Sequence, residues 1–478
     1  MIPDLVTPIV LPAATAAVML LIGRNNLALQ RGLSLVSVLG LTGLWVALAL
    51  QTLPRAEALG NWPAPFGIVL VADGLSVLML GLVAGLAGIV LLHVLATGTD
   101  RLGASFHPLF QFQLMGLNGA FLTGDAFTLF VFFEVLLIAS YGLVVHGGGA
   151  ARLLAGVRYV VTNLVGSTLF LIGLGVVYAV TGTLNMADLA AKVAALPAGD
   201  AGLIRVAAVM LLLVFAVKAA LVPLQVWLPA TYAESPAPVA ALFAVMTKVG
   251  AYAALRFGTL IFPPGTPATG TLYADLLLPA GLVTLGVGAV GMLGAQGINR
   301  TAAYAAITST GTLFIALSGF TPLATSAGLY YLIHSTLAVA ALFLIADLVT
   351  RAGGRSGAVA VLFFATAIGV AGMPPLSGFL GKLLILQARW DFAAVVWPVV
   401  LTTSLLTIVA LARLGSDLFW KSATADRPAT ASLIAPVLIL SALVALTIWA
   451  GPMTDTLTLL ARDLHAPAPY LATVKALQ

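Results

Sequence analysis

The chain has 478 residues, 61% of them hydrophobic and 8% charged, with a mean hydropathy of +1.12. Soluble domains carry about 25% charged residues, so composition excludes a water-soluble fold and points to an all-α polytopic membrane protein. The net charge of +5 is scattered through short loops and forms no nucleic-acid patch, and the absence of cysteine excludes disulfides, thiolate metal sites and thiol-held iron–sulfur clusters.

A bilayer is crossed by roughly 20 apolar residues. On that measure the chain holds fourteen spans, near 4–23, 29–51, 73–96, 106–123, 126–146, 156–181, 202–222, 236–262, 271–294, 301–319, 323–350, 358–388, 392–414 and 431–452. Met1 to Gly23 lacks a basic start and reads as a first span, not a cleaved signal. The stretch Leu59–Asp73 is turn-rich and then β-branched, which reads as a short hairpin on the outer side. The 202–222 span continues, broken, to about residue 232, and the less apolar tail after Pro452 is expected at the surface. With the N terminus outside, the inner loops hold eleven basic residues (Arg24, Arg31, Arg101, Arg152, Arg158, Arg300, Arg351, Arg355, Arg413, Lys421, Arg427). The outer side holds seven (Arg55, Lys192, Arg205, Arg256, Arg389, Arg462, Lys475), a bias that favours both termini outside.

Ionisable residues inside spans are costly and by default functional. The first is Glu134, in TLFVFFEVLLIASYGL, with Tyr141 on the same face. It reads as a proton-binding carboxylate or as the partner of a membrane lysine; a structural ion pair is the competing account. In span six Tyr159, Asn163 and Ser167 form a polar stripe that either holds water or glues helices together.

The stretch Leu213–Gly250 places Lys218 and Lys248 in apolar sequence, with Pro223, Pro229, Pro236 and Pro238, Gln225 and Glu234 between them. Prolines free backbone carbonyls that lipid cannot satisfy, so a broken helix belongs inside protein or beside water. Lys218 is placed to pair with Glu134. Desolvation disfavours both charges and pairing favours both. A lysine held between those influences can exchange a proton, as an arginine cannot; snorkelling is the alternative. Lys248 reads as a relay site, with Ser235 and Pro236 as the N-cap and first residue of its helix.

In span ten Tyr304, Thr308 and Thr312 repeat the stripe pattern. His334, the mid-span histidine of YYLIHSTLAVAALF, is either a proton relay or a hydrogen-bonded structural residue. Asp347 and Arg351 share a helix face near a membrane end and read as a surface pair. Lys382 follows the Pro374–Pro375 break in PPLSGFLGKLLIL and reads as a terminal proton site. PLQVWLP at Pro223–Pro229 and PLSGFLG at Pro375–Gly381 echo each other, as in inverted-repeat transporters; chance similarity in a Gly/Ala/Leu/Pro-rich chain is the alternative. No nucleotide loop, haem motif, metal-ligand cluster or nucleophile–base set is present, so neither a cofactor nor covalent catalysis is expected on this chain.

The segments GDAFTLFVFFEVLLIASYGL, RYVVTNLVGSTLFLIGLGVVYAVTGTLNMADLA, 213–250 and ATAIGVAGMPPLSGFLGKLLILQA resemble the antiporter-like membrane subunits shared by respiratory complex I and Mrp-type multisubunit cation/proton antiporters. The wording around Glu134 and TGTLNMADLA is most similar to the D subunits of the Mrp group. The resemblance covers most of the chain and weakens before residue 70 and after 430. It implies fourteen helices, two inverted five-helix repeats, and a proton pathway through Glu134, Lys218, Lys248, His334 and Lys382 with helix breaks at Pro223, Pro229, Pro374 and Pro375. The domain boundaries implied are 1–105, a first repeat at 106–262, a second at 271–414, and 415–478. It also implies other subunits of a hetero-oligomeric complex as partners, H+ and Na+ as transported ions, and a bacterial cell membrane as location. Relatives often carry a further lysine about one turn after the histidine at the place of His334, near the place of Val339, and here none follows before the span ends, so the second half-channel is expected to run through His334 and water. A complex I or membrane hydrogenase subunit and a non-conducting scaffold are the alternatives.

Overall fold

A computed structural model describes residues 4–22, 26–351, 356–420 and 430–477. In lipid every backbone polar group must be satisfied within the chain, which leaves helices as the solution for these apolar runs. The chain opens with α1 (Thr7–Leu21) and α2 (Leu27–Ala49). Strands β1 (Arg55–Ala58) and β2 (Val69–Ala72) follow, antiparallel with Arg55 opposite Ala72, so the expected hairpin forms but starts before Leu59. Next come α3 (Gly74–Thr97), α4 (Phe106–Leu122), α5 (Ala126–Val144), α6 (Ala150–Thr181), α7 (Met186–Ala195), α8 (Gly202–Ala219), α9 (Leu228–Glu234), α10 (Ala237–Phe243) and α11 (Met246–Arg256). The second half holds α12 (Leu272–Gly294), α13 (Ile298–Leu317), α14 (Pro322–Arg351), α15 (Gly357–Ala371), α16 (Ser377–Ala388), α17 (Ala393–Phe419) and α18 (Thr430–Ile448), and the tail forms α19 (Ala450–His465) and α20 (Ala468–Lys475).

Among the described residues ten helical segments are long and apolar enough to cross a membrane. Polar side chains start several helices where the sequence offers them: Asn26, Asp73, Asp125 and Asn185 each accept a backbone N–H of the first turn. The helices α11, α13 and α14 are buried almost throughout, while α2, α6, α12, α17 and α18 turn apolar side chains outward. Lys218, Lys248, His334 and Lys382 sit on this buried group or on the helices α8 and α16 packed against it.

Several expectations need correction. The eighth span tightens between α10 and α11, at Ala244–Val245, three residues before Lys248. Ser235 does not cap it: its hydroxyl donates back to the Thr231 carbonyl at 2.5 Å, and Pro236 holds the cap position without a side-chain bond. Arg256 is no loop residue. It is buried at the end of α11, bonded through both terminal nitrogens to Asp73 at 2.5 and 2.8 Å, and lies against the rings of Tyr252 and Tyr470. Asp347 is likewise buried, 3.0 Å from the His93 ring across 254 residues of sequence. Arg24, Arg355, Lys421 and Arg427, used for orientation, lie outside the described residues, as does the Arg351 side chain. The tail helix α19 turns one face outward, but Leu457, Leu460 and Leu464 are buried, and His465 and Thr458 bond Thr325 and Ser326 at the start of α14.

Candidate functional site

The first helix break follows from local sequence. After α8, Ala220 adopts a left-handed conformation (φ 59), the Val222–Pro223 bond is cis, and the chain resumes through a short turn at Leu224–Trp227. Pro229 lies in the first turn of α9, where its missing N–H costs nothing, so it starts a helix and does not break one. The Trp227 indole donates to the Val217 carbonyl at 3.0 Å, satisfying an acceptor at the break.

Lys218, in the last turn of α8, is buried, and its Nζ donates to Asn163 Oδ1 at 3.2 Å. Asn163 in turn donates to the Tyr159 carbonyl, 3.0 Å away. Half-buried Glu134, midway along α5, accepts from the Ser167 hydroxyl. Asn163 and Ser167 are one turn apart on α6. The expected Glu134–Lys218 contact is therefore not a direct salt bridge: α6 stands between the two groups, and each bonds a different residue of it. The physical reason is packing, since α6 lies against both α5 and α8. Tyr141 joins only through its ring, 5.2 Å edge-on to Tyr159, which stacks on Trp227 at 5.1 Å. A small cavity lined by Tyr159, Asn163, Lys218, Trp227, Met246 and Val249 opens beside the lysine. Gly250 brings α11 against α8 here, because a Cβ would lie 2.6 Å from the Ala219 nitrogen and 2.7 Å from the Phe215 carbonyl oxygen.

Lys248, fully buried, donates to Ser309 Oγ on α13 at 3.0 Å and to Thr247 Oγ1 at 3.3 Å. On α14, the His334 Nδ1 lies 2.9 Å from Ser377 Oγ. Lys382 donates to the Ala371 carbonyl at 2.7 Å and to Ser404 Oγ on α17 at 2.9 Å. Its chain lies over Gly372, where φ is 75 and a Cβ would meet the lysine within 3.0 Å.

The second break repeats the backbone of the first. Ala220→Val217, Leu221→Ala216 and Leu224→Leu221 hydrogen bonds recur as Gly372→Gly369, Met373→Ile368 and Leu376→Met373, and Pro374–Pro375 is cis like Val222–Pro223.

The two polar stripes part company. Asn163 and Ser167 bridge toward Lys218 and Glu134, whereas Thr308 and Thr312 bond back to their own helix carbonyls at 3.0 Å. Tyr304 and Thr308 pack on Gly291 and Gly288 of α12, so that stripe joins helices. Ser309, Ser377 and Ser404, which hold the ionisable groups, carried no periodic signal. Among the described residues no group of three or more histidines or carboxylates is placed to hold a metal. What the arrangement can do chemically is accept, hold and pass protons between buried bases.

Residues 123–407 match the family described as NADH:quinone oxidoreductase/Mrp antiporter, TM. The probable D subunit of a K(+)/H(+) antiporter of Rhizobium meliloti is 38% identical over 98% of this chain and 96% of its own. The D subunit of a Na(+)/H(+) antiporter of Alkalihalophilus pseudofirmus is 40% identical over 87% of this chain and 86% of its own. Among solved structures, a chain of the Mrp complex from Dietzia superposes with a TM-score of 0.89 at 26% identity, covering 98% of this chain and 99% of that one.

Proposed function

Because the chain belongs to the NADH:quinone oxidoreductase/Mrp antiporter family, with antiporter D subunits as relatives over nearly its whole length, we propose that it is the proton-translocating subunit of a multisubunit monovalent cation/proton antiporter in a bacterial cell membrane. Na+ is the cation proposed, and the other subunits of that complex are its partners. A proton reaches Lys248, passes to His334 and continues to Lys382, with ordered water filling the steps. The observation that carries this route is that Lys248, His334 and Lys382 are all buried and each is held by a serine hydroxyl of a neighbouring helix, Ser309, Ser377 and Ser404. Lys218 controls it: when its ammonium leaves Asn163 and turns toward Glu134, the charge near Lys248 changes, and with it that lysine's hold on a proton. Val339, near the place where the resemblance implies a further lysine, is buried among apolar residues, which leaves His334 to serve the second half-channel.

The finer architecture belongs to the same proposal. The ten long segments, together with α1, α4, α13 and the α15–α16 pair, make fourteen crossings. Residues 106–262 and 271–414 form two inverted five-helix units flanked by 1–105 and 415–478; the shared hydrogen-bond pattern at the two breaks supports this.

Lys218→Ala and Glu134→Ala are expected to abolish antiport in everted vesicles while the complex assembles; normal antiport in both overturns the reading. Parallel assays with Na+ and K+ identify the cation. The family name also covers respiratory complexes. Co-purification with iron–sulfur or flavin subunits, in place of small hydrophobic partners, would assign the chain there.

A further inference from the structure

A second set of buried polar residues lies in the N-terminal helices, before the stretch 123–407 that carries the lysine–histidine axis. At one membrane face Arg31 on α2 grips Asp100 through two bonds of 2.6 and 2.8 Å. Asp100 Oδ2 is 3.1 Å from His107 Nε2, and His107 Nδ1 is 2.9 Å from Ser34 Oγ. One turn further along both helices, Ser37 donates to Gln111 Oε1 at 2.9 Å, and among the described residues the buried Gln111 Nε2 has no partner. Farther still, Asn118 donates to the Pro8 carbonyl at 2.9 Å and lines a small cavity with Leu41, Trp45, Leu80 and Ala84.

We propose that this seam between α2 and α4 is a hydrated proton path, separate from the lysine–histidine axis, running from Asp100 and His107 at one face to Asn118 and the Pro8 carbonyl at the other. Positions 107, 111 and 118 are separated along α4 by about 6 and 10 Å; the longer gap adjoins the cavity. An amide donor buried without a protein partner is a place where water completes the bonding. His107 supplies the transfer step. With its hydrogen on Nε2 facing Asp100, the ring takes up a proton at Nδ1 from the Ser34 side. It then releases the Nε2 proton to the Asp100 carboxylate and returns neutral in the other tautomer. Arg31 and Asp100, His146 at the end of α5, and Arg152, which bonds the His146 carbonyl at 2.6 Å, are the charged and titratable groups around it. Arg31 keeps a quarter of its side chain exposed and marks where the path meets the surface.

The chain has no cysteine, so single cysteines report without background in the assembled complex. Ser34→Cys and Ser37→Cys are expected to react with silver ion about tenfold faster than Val36→Cys and Leu39→Cys, which face outward on the same helix, because only a hydrated thiol ionises readily. Reaction is read as protection from later alkylation, by mass shift of this chain. Equal rates at the four positions overturn the proposal, whether or not the complex exchanges cations. In reconstituted complex, Gln111→Leu is expected to slow proton flux while leaving the Na+ dependence of exchange unchanged; unaltered proton flux counts against the path.

Discussion

The two helix breaks share a backbone turn and use their lysines in opposite ways. At the first, the Trp227 indole satisfies Val217, and Lys218, which precedes the break, is left to a side-chain partner that it can exchange. At the second, Lys382 follows the break and itself satisfies the Ala371 carbonyl, with Ser404 as second acceptor. An ammonium that bonds only an amide side chain can move at little cost. One that closes a broken helix cannot leave without exposing a buried carbonyl. On the proposed mechanism the first lysine switches and the second stays.

The sharpest way to break that contrast is Lys382→Met. It is expected to remove antiport and to lower the thermal midpoint of the detergent-solubilised complex, by the roughly 1–3 kcal/mol that an unsatisfied buried carbonyl costs. Lys218→Met is expected to remove antiport as completely and to leave the midpoint in place, so equal midpoint losses would erase the distinction. Gly250→Val comes next. Its side chain would press on the backbone of α8 beside Lys218, at about 1–3 kcal/mol for overpacking, and antiport measured in vesicles should fall with it. Trp227→Phe is milder. It removes the donor to Val217 at a cost of about 1 kcal/mol, and Lys218 then turns to that carbonyl; a lowered apparent proton affinity in the pH profile of exchange is the reading to look for.

The smallest effect concerns the loop end of the N-terminal seam. Burial alone would raise the Asp100 carboxyl, but hydrogen bonds from Arg31 and His107 outweigh it and hold the group below the usual carboxylate range. Asp100 therefore contributes stability above that range and loses it as pH falls through its own lowered pKa. Asp100→Asn should flatten the acid limb of the stability profile, measured as midpoint against pH.

Hydropathy made most helices legible, because in lipid the length of an apolar run and its backbone bonding are one constraint. Glu134, Lys218, Lys248, His334 and Lys382 were legible as costly charges. Their neighbours were not. Periodicity assigns a residue to a face of its helix and says nothing of what stands opposite, so the 159/163/167 and 304/308/312 stripes looked alike. The glycines of α12 make one a packing seam; the charges on α5 and α8 make the other a bridge. His93 with Asp347, and Asp73 with Arg256, are pairs of distant sequence that no local pattern announces.

The helix α13 has a consequence for biogenesis. It begins with Asn299 and Arg300, carries Thr301, Thr308, Ser309, Thr310 and Thr312, and is absent from the long apolar spans. On its own it is a poor substrate for the insertion machinery, since each polar residue resists leaving the aqueous channel. It is, however, fitted to α12 at Gly281, Gly288 and Gly291. The two helices are suited to enter the bilayer as one hairpin, with α12 covering Tyr304 and Thr308 while α13 brings in Ser309, which the finished protein later uses to hold Lys248.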